Sequence, residues 1–160
     1  MMRWMAILFA TVWLISGCGD KDGNVGMKSP DGSPVTFKPH EVTCPQCNMP
    51  LKSLVDSAQI VLKDGSVEVF DDPGCMVLWM DAHKIDPKEV KTWVYTRDTH
   101  RWIDAKKAHY SQTDPTPMGY GFGAYEKDAK DRISFERMRL RVLRGLTLKD
   151  PRIRKKLLGY

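Results

Sequence analysis

The sequence predicts an α+β fold: two small ββα-type units packed together, with a C-terminal helical extension. Three observations lead there. Pairs of short β-type runs joined by tight turns occur twice. The first pair is followed by a well-marked helix start. Residues 132–160 carry caps for two further helices.

The elements follow in order. Ala58 to Lys63 is an apolar-rich run that ends in Asp64-Gly65, and Ser66 to Phe70 alternates around Glu68. Two short runs joined by Asp-Gly form a strong hairpin signal. Asp72-Pro73 then opens a helix over 74–83, because an acidic N-cap and a proline in the first turn suit a helix start. Met76, Val77 and Met80 share one side of it. In the second unit, Val90 to Thr96 and Arg101 to Asp104 read as strands around the turn Asp98-Thr99-His100. A Pro-rich turn at Pro115 and Pro117 leads into Met118-Gly-Tyr-Gly-Phe-Gly-Ala-Tyr125, and Glu126 to Asp131 is predicted helical. Ser134 caps a helix that runs to Arg144 and stops at Gly145, and Asp150-Pro151 opens another that stops at Gly159.

The N-terminus carries an address. Arg3 precedes an apolar run, Met5 to Ile15, which is shorter than the roughly 20 residues a spanning helix needs. A charged start, a short apolar core and small residues before a cut site describe a signal peptide. Leu14-Ile15-Ser16-Gly17-Cys18 looks like a lipobox, in which the cysteine is lipidated and becomes the first mature residue. The expected organisation is a signal peptide (1–17), a lipidated flexible tether (18–37), a domain of two ββα-type units (38–131) and a basic helical tail (132–160). The expected location is a cell membrane, lipid-anchored through Cys18 and facing the periplasm or exterior; Gly19 and Asp20 leave inner against outer membrane open.

Charge is unevenly placed. Residues 132–160 hold ten Lys or Arg and two acids, whereas 18–131 hold fourteen Lys or Arg and eighteen acids. The basic balance therefore belongs to the tail. An exported protein meets little nucleic acid, so nucleic-acid binding is not expected. A basic tail near a membrane suits anionic head groups, an acidic partner, or simply a solvated helix face.

The sharpest chemical feature is Cys44-Pro45-Gln46-Cys47-Asn48-Met49. A structural zinc site needs about four ligands, and no second CxxC or CxxH is present. A thioredoxin-type motif should open a helix after a strand, but Pro50 interrupts a helix beginning at Cys47. Thiolate and thioether sulfurs are soft donors that favour Cu(I). Cys47 and Met49 can supply part of such a site, with Cys44 beside them, and Met118 in its Gly-rich turn can complete it. Glycines 119, 121 and 123 would let that backbone approach the knuckle. Cys75-Met76 is a second soft pair, read as core because it sits early in an amphipathic helix. His83, His100 and His109 read as surface or hydrogen-bonded histidines. No paired carboxylates in a cleft pattern, nucleophile motif or phosphate loop points to an enzyme.

Together the lipobox, C-x-x-C-x-M at 44–49, FDDPGCM at 70–76, WIDAKKAHY at 102–110 and PMGYGFGAY at 117–125 resemble the NosL family, copper-binding lipoproteins that accompany nitrous-oxide reductase. The resemblance implies a non-enzymatic Cu(I) carrier, with Cys47 and Met49 as ligands and Met118 as a third. It implies that the partner is an exported copper enzyme, nitrous-oxide reductase above all, or its assembly machinery. The chain departs from the family pattern in its basic tail, and in lacking a histidine after Met118. Two other readings stay open. One is a membrane-tethered thiol–disulfide oxidoreductase using Cys44 and Cys47; the other is a docking lipoprotein with one disulfide.

Overall fold

The computed structural model describes residues 26–160. The expected signal peptide and the expected lipidation site, Cys18, lie outside the described residues. The fold is α+β, as the sequence predicts.

The first hairpin pairs β1 (Ala58–Val61) with β2 (Val67–Phe70), antiparallel, from Ala58 opposite Phe70 to Val61 opposite Val67. Its turn closes where the expected Asp64-Gly65 falls, with Gly65 at φ 79° and its N–H donating to the Leu62 carbonyl at 2.9 Å. A left-handed φ suits glycine because it has no Cβ to clash. The second hairpin pairs β3 (Lys91–Tyr95) with β4 (Trp102–Asp104). The two hairpins do not merely pack together. β1 also pairs with β3, which gives one four-stranded antiparallel sheet in the order β2-β1-β3-β4.

Helix α1 (Pro73–Ala82) follows β2 with Asp72 as N-cap and Pro73 in the first turn, as expected. It is buried around most of its circumference, since it packs against β1, β2 and the later helix α2. The second hairpin has no helix directly behind it. Glu126 to Asp131 is not helical. The N–H groups of Glu126 and Lys127 are both taken by the Asp98 carboxylate, each at 3.0 Å. Arg132 donates to the Lys127 carbonyl, and its guanidinium lies 3.6 Å over the Tyr125 ring. These contacts hold the segment as an irregular turn.

A second small sheet follows, in the order β6-β5-β7: β5 (His109–Tyr110) is flanked by β6 (Ala124–Tyr125) and β7 (Ile133–Ser134). Helices α2 (Phe135–Leu143) and α3 (Pro151–Leu158) close the chain, capped by Ser134 and Asp150 and stopped at Gly145 and Gly159, as the sequence reading has them.

Two boundaries need correction. Residues 132–160 are not an appendage to a domain ending at 131. Ile133 supplies a strand, and Phe135, Met138 and Val142 are buried in the same cluster as Ile60, Phe70, Met76 and Tyr110. Burying those three side chains gains roughly 1.5–3 kcal/mol each, which ties α2 to the core. The tether also ends earlier than residue 37. Lys28 bridges to Ser66, and Val35 exchanges two 2.9 Å hydrogen bonds with the buried Gln59 side chain. Trp93 Nε1 donates to the Gly32 carbonyl, and Phe37 is buried. The polar composition that suggests a linker instead supplies turn residues that run along the sheet.

Candidate metal centre

The knuckle is built by its own backbone. Thr43 bridges to Pro50, the Cys44 N–H donates to the Met49 carbonyl at 2.9 Å, and the Asn48 N–H donates to the Cys44 carbonyl at 2.9 Å. Asn48 makes the tight turn at φ 58°, a conformation asparagine accepts better than most residues. Val42, Cys44 and Leu51 are buried and fix the loop to the core. Cys47 is left half-buried and Met49 exposed.

Opposite the knuckle stands the junction of β2 and α1. Asp71 ends the strand side, and Cys75 lies four residues on, in the first turn of α1. The sulfurs of Cys44, Cys47 and Cys75 and a carboxylate oxygen of Asp71 all lie within 4.8 Å of one another. Cys47 Sγ is 3.4 Å from each Asp71 oxygen. Among the described residues the three cysteines are free thiols.

The electrostatics of the cluster are ordered. The Cys75 thiol donates to the Cys44 sulfur, which, with backbone N–H groups of Asp71 and Cys47, holds Cys44 below the usual thiol range despite its burial. The same hydrogen bond and burial push Cys75 up. Burial pushes Cys47 up to about 12, although the Met49 N–H donates to it. Cys44 is thus the sulfur most favoured as a thiolate, and Cys47 and Cys75 favour the protonated form. Ionising the remaining thiols beside Asp71 and Cys44 is opposed by repulsion, which a bound cation would relieve.

The donor set fits a soft ion. Two donors about 2.3 Å from one ion lie at most about 4.6 Å apart, so the observed spacing is close to closure. Three thiols favour Cu(I) or another thiophilic ion over hard cations.

Asp72 organises the surroundings. One carboxylate oxygen accepts the Gly74 N–H at 2.8 Å, and the other accepts the Met118 N–H at 3.1 Å. Thr116 also hydrogen-bonds it, yet burial carries its pKa up to about 6. The loop bearing Met118 is therefore pinned to the start of α1. Met49 and Met118 meet with Pro50, Lys52, Ser53, Pro117 and Asp71 around a pocket of about 200 Å³. Asp71 belongs to both pocket and cluster, so the two methionines stand beside the thiols.

The expected residues are thus brought together in two groups. Cys44 and Cys47 are in the cluster; Met49 and Met118 line the adjoining pocket. Cys75, read from sequence as core, is buried and also in the cluster, and Asp71 was missed. Asp71 precedes the extended N-cap Asp72, so no helical spacing relates it to Cys75, and their convergence depends on how the β2–α1 junction meets the knuckle. Gly119 faces open space, and Gly121 and Gly123 serve other contacts. A Cβ on Gly121 would fall 2.8 Å from the Gln112 carbonyl oxygen, and one on Gly123 would fall 2.1 Å from the Asp114 carboxylate. The close approach near the site is at Gly74, where a Cβ would sit 2.3 Å from Tyr120 Cδ2. No histidine joins the cluster. His83 stacks on Trp79 at 4.0 Å, and His109 pairs with Asp128 at 3.2 Å.

No family model matches the chain, and no curated relative matches it. Among solved structures the chain is similar to the crystal structure of the copper chaperone NosL from Shewanella denitrificans. The identity is 17% and the TM-score 0.44, covering 62% of this chain and 82% of that one.

Proposed function

We propose that this chain is a lipid-anchored carrier of Cu(I). It holds the ion through the sulfurs of Cys44, Cys47 and Cys75, with Asp71 balancing charge, and passes it on through the Met49–Met118 pocket. The carrying observation is the convergence of three thiols and a carboxylate within 4.8 Å. Copper, rather than zinc, is favoured by the surplus of soft donors, counting the thioethers alongside. Cys18 is the proposed acylation site, placing the domain on the outer side of a membrane. The proposed recipient is an exported copper enzyme, nitrous-oxide reductase or its assembly machinery, by the motif resemblance.

Transfer needs no covalent chemistry on a substrate. An incoming sulfur or nitrogen donor replaces one ligand at a time, and Cys47, the half-exposed thiol, is the first to be exchanged. The oxidoreductase alternative needs a reachable thiol with a depressed pKa. Here the depressed thiol, Cys44, is fully buried, and the reachable one, Cys47, is held up.

The test is an anaerobic Cu(I) titration of the reduced chain beginning at residue 18, with Cys18→Ser, against a competing chelator. One tightly held Cu(I), lost in Cys47→Ser, is expected. Absence of competitive binding in fully reduced protein overturns the carrier reading. Membrane fractionation of full-length Cys18→Ala against wild type tests the anchor; equal retention of both would remove it.

A further inference from the structure

The tail helices present a cationic surface that the copper site does not use. α2 turns Phe135, Met138 and Val142 inward. On another face Arg137, Arg141 and Arg144 follow at i,i+4 and i,i+3 spacing, so their charges are neighbours. Like charges so placed oppose the helix unless something anionic sits between them. Arg141 Nε is buried with no hydrogen-bond partner, and its guanidinium feels the charge of Arg137. Glu136 reaches Arg139 at 3.9 Å and Asp150 reaches Arg152 at 2.9 Å. Among the described residues no ion pair neutralises Arg137, Arg141, Arg144, Lys155 or Lys156.

Apolar groups stand among these charges. Leu140, three residues after Arg137 and four before Arg144, is 45% exposed, and Tyr160 is 81% exposed. α3 buries no residue; Ile153, Leu157 and Leu158 are only half-covered, beside Arg154, Lys155 and Lys156. Basic residues interleaved with exposed Leu and Tyr describe a surface that lies at a lipid interface, where cations meet phosphates and apolar tips enter the acyl boundary. An acidic protein surface would satisfy the charges but gives Leu140 and Tyr160 less to contact.

We propose that the exposed side of α2, centred on Arg137, Leu140 and Arg144, docks on anionic phospholipid, with the exposed Lys155 and Lys156 of α3 adding to the attraction. This inference is independent of the copper reading. It uses the lipobox only for proximity: residues 18–27 span at most about 35 Å fully extended, which keeps the domain close to the bilayer.

The experiment is co-sedimentation of the chain from residue 18, carrying Cys18→Ser so that no acyl chain contributes. Its partners are vesicles of pure phosphatidylcholine or of phosphatidylcholine with phosphatidylglycerol. Binding only to the anionic vesicles, weakened as NaCl is raised from about 0.1 to 0.5 M, is expected. Arg137→Gln with Arg144→Gln should weaken it roughly tenfold or more, as should Lys155→Gln with Lys156→Gln. Lys107→Gln with Lys130→Gln removes the same charge from elsewhere on the surface and should leave binding unchanged. Circular dichroism of each variant confirms folding. Absence of binding to anionic vesicles overturns the proposal, as does an equal loss in the Lys107/Lys130 variant. Binding to polyglutamate without binding to anionic vesicles overturns the choice of lipid.

Discussion

Replacing Cys75 by Ser probes whether the third sulfur belongs to the metal site or only to the core. Serine keeps the shape and an O–H that can still donate to Cys44, so the scaffold is disturbed little. What is lost is one soft donor. Binding of a metal ion to four protein donors releases about 10–16 kcal/mol in small thiolate sites, so one donor contributes about 3 kcal/mol. That corresponds to roughly a hundredfold in Kd. The geometry supports counting Cys75 in full, because its sulfur shares the 4.8 Å cluster with the other donors. The assay is anaerobic Cu(I) competition at fixed pH, with urea unfolding as the control for fold. Cys75→Ser should lose on the order of a hundredfold, and Met49→Leu, whose side chain lines the neighbouring pocket, tenfold or less. An affinity for Cys75→Ser within threefold of wild type, in a folded protein, would refute the three-thiol site and return the copper to Cys47 and the methionines.

Further outcomes follow from the same structure. Cu(I) affinity should rise with pH between about 6 and 9, because Cys47, held up to about 12, and Cys75, held up as well, must release protons to bind; the slope should lessen in Cys47→Ser. Gly74→Ala places a Cβ 2.3 Å from the Tyr120 ring and should cost about 1–3 kcal/mol in urea unfolding, a cost that shrinks in a Tyr120→Ala background. Arg97 makes two 2.7 Å bonds to the buried Asp56, so Arg97→Ala should destabilise by about 3 kcal/mol, chiefly through the carboxylate left without its partner. A chain ending at residue 131 should show no cooperative thermal transition, since it lacks Phe135 and Met138; a normal transition would restore the tail to an appendage.

Much of the fold was legible because it rests on local chemistry. Asp64-Gly65 dictates a turn, Asp72-Pro73 a helix start, and Ser134 and Asp150 two more, and each falls where its residues demand. What was not legible depends on partners distant in sequence. Nothing local tells β1 to pair with β3 as well as β2, which is what fuses two hairpins into one sheet. Phe135, Met138 and Val142 form an apolar stripe readable as amphipathic, but not that α1 is what covers it. The candidate site divides the same way. The CxxC turn is a local motif, whereas Cys75 enters the cluster only because the β2–α1 junction is carried across to the knuckle. The Asp98 carboxylate likewise captures Glu126 and Lys127 from 28 and 29 residues away, and no propensity over 126–131 foretells that.

Asp72 has a mechanical consequence. One of its oxygens starts the helix that carries Cys75, and the other holds the loop that carries Met118. The seat of Cys75 and the loop of Met118 therefore share a single pin. Any change at this one carboxylate is therefore felt at once by the first turn of α1 and by the Met118 loop, two segments more than forty residues apart in the chain.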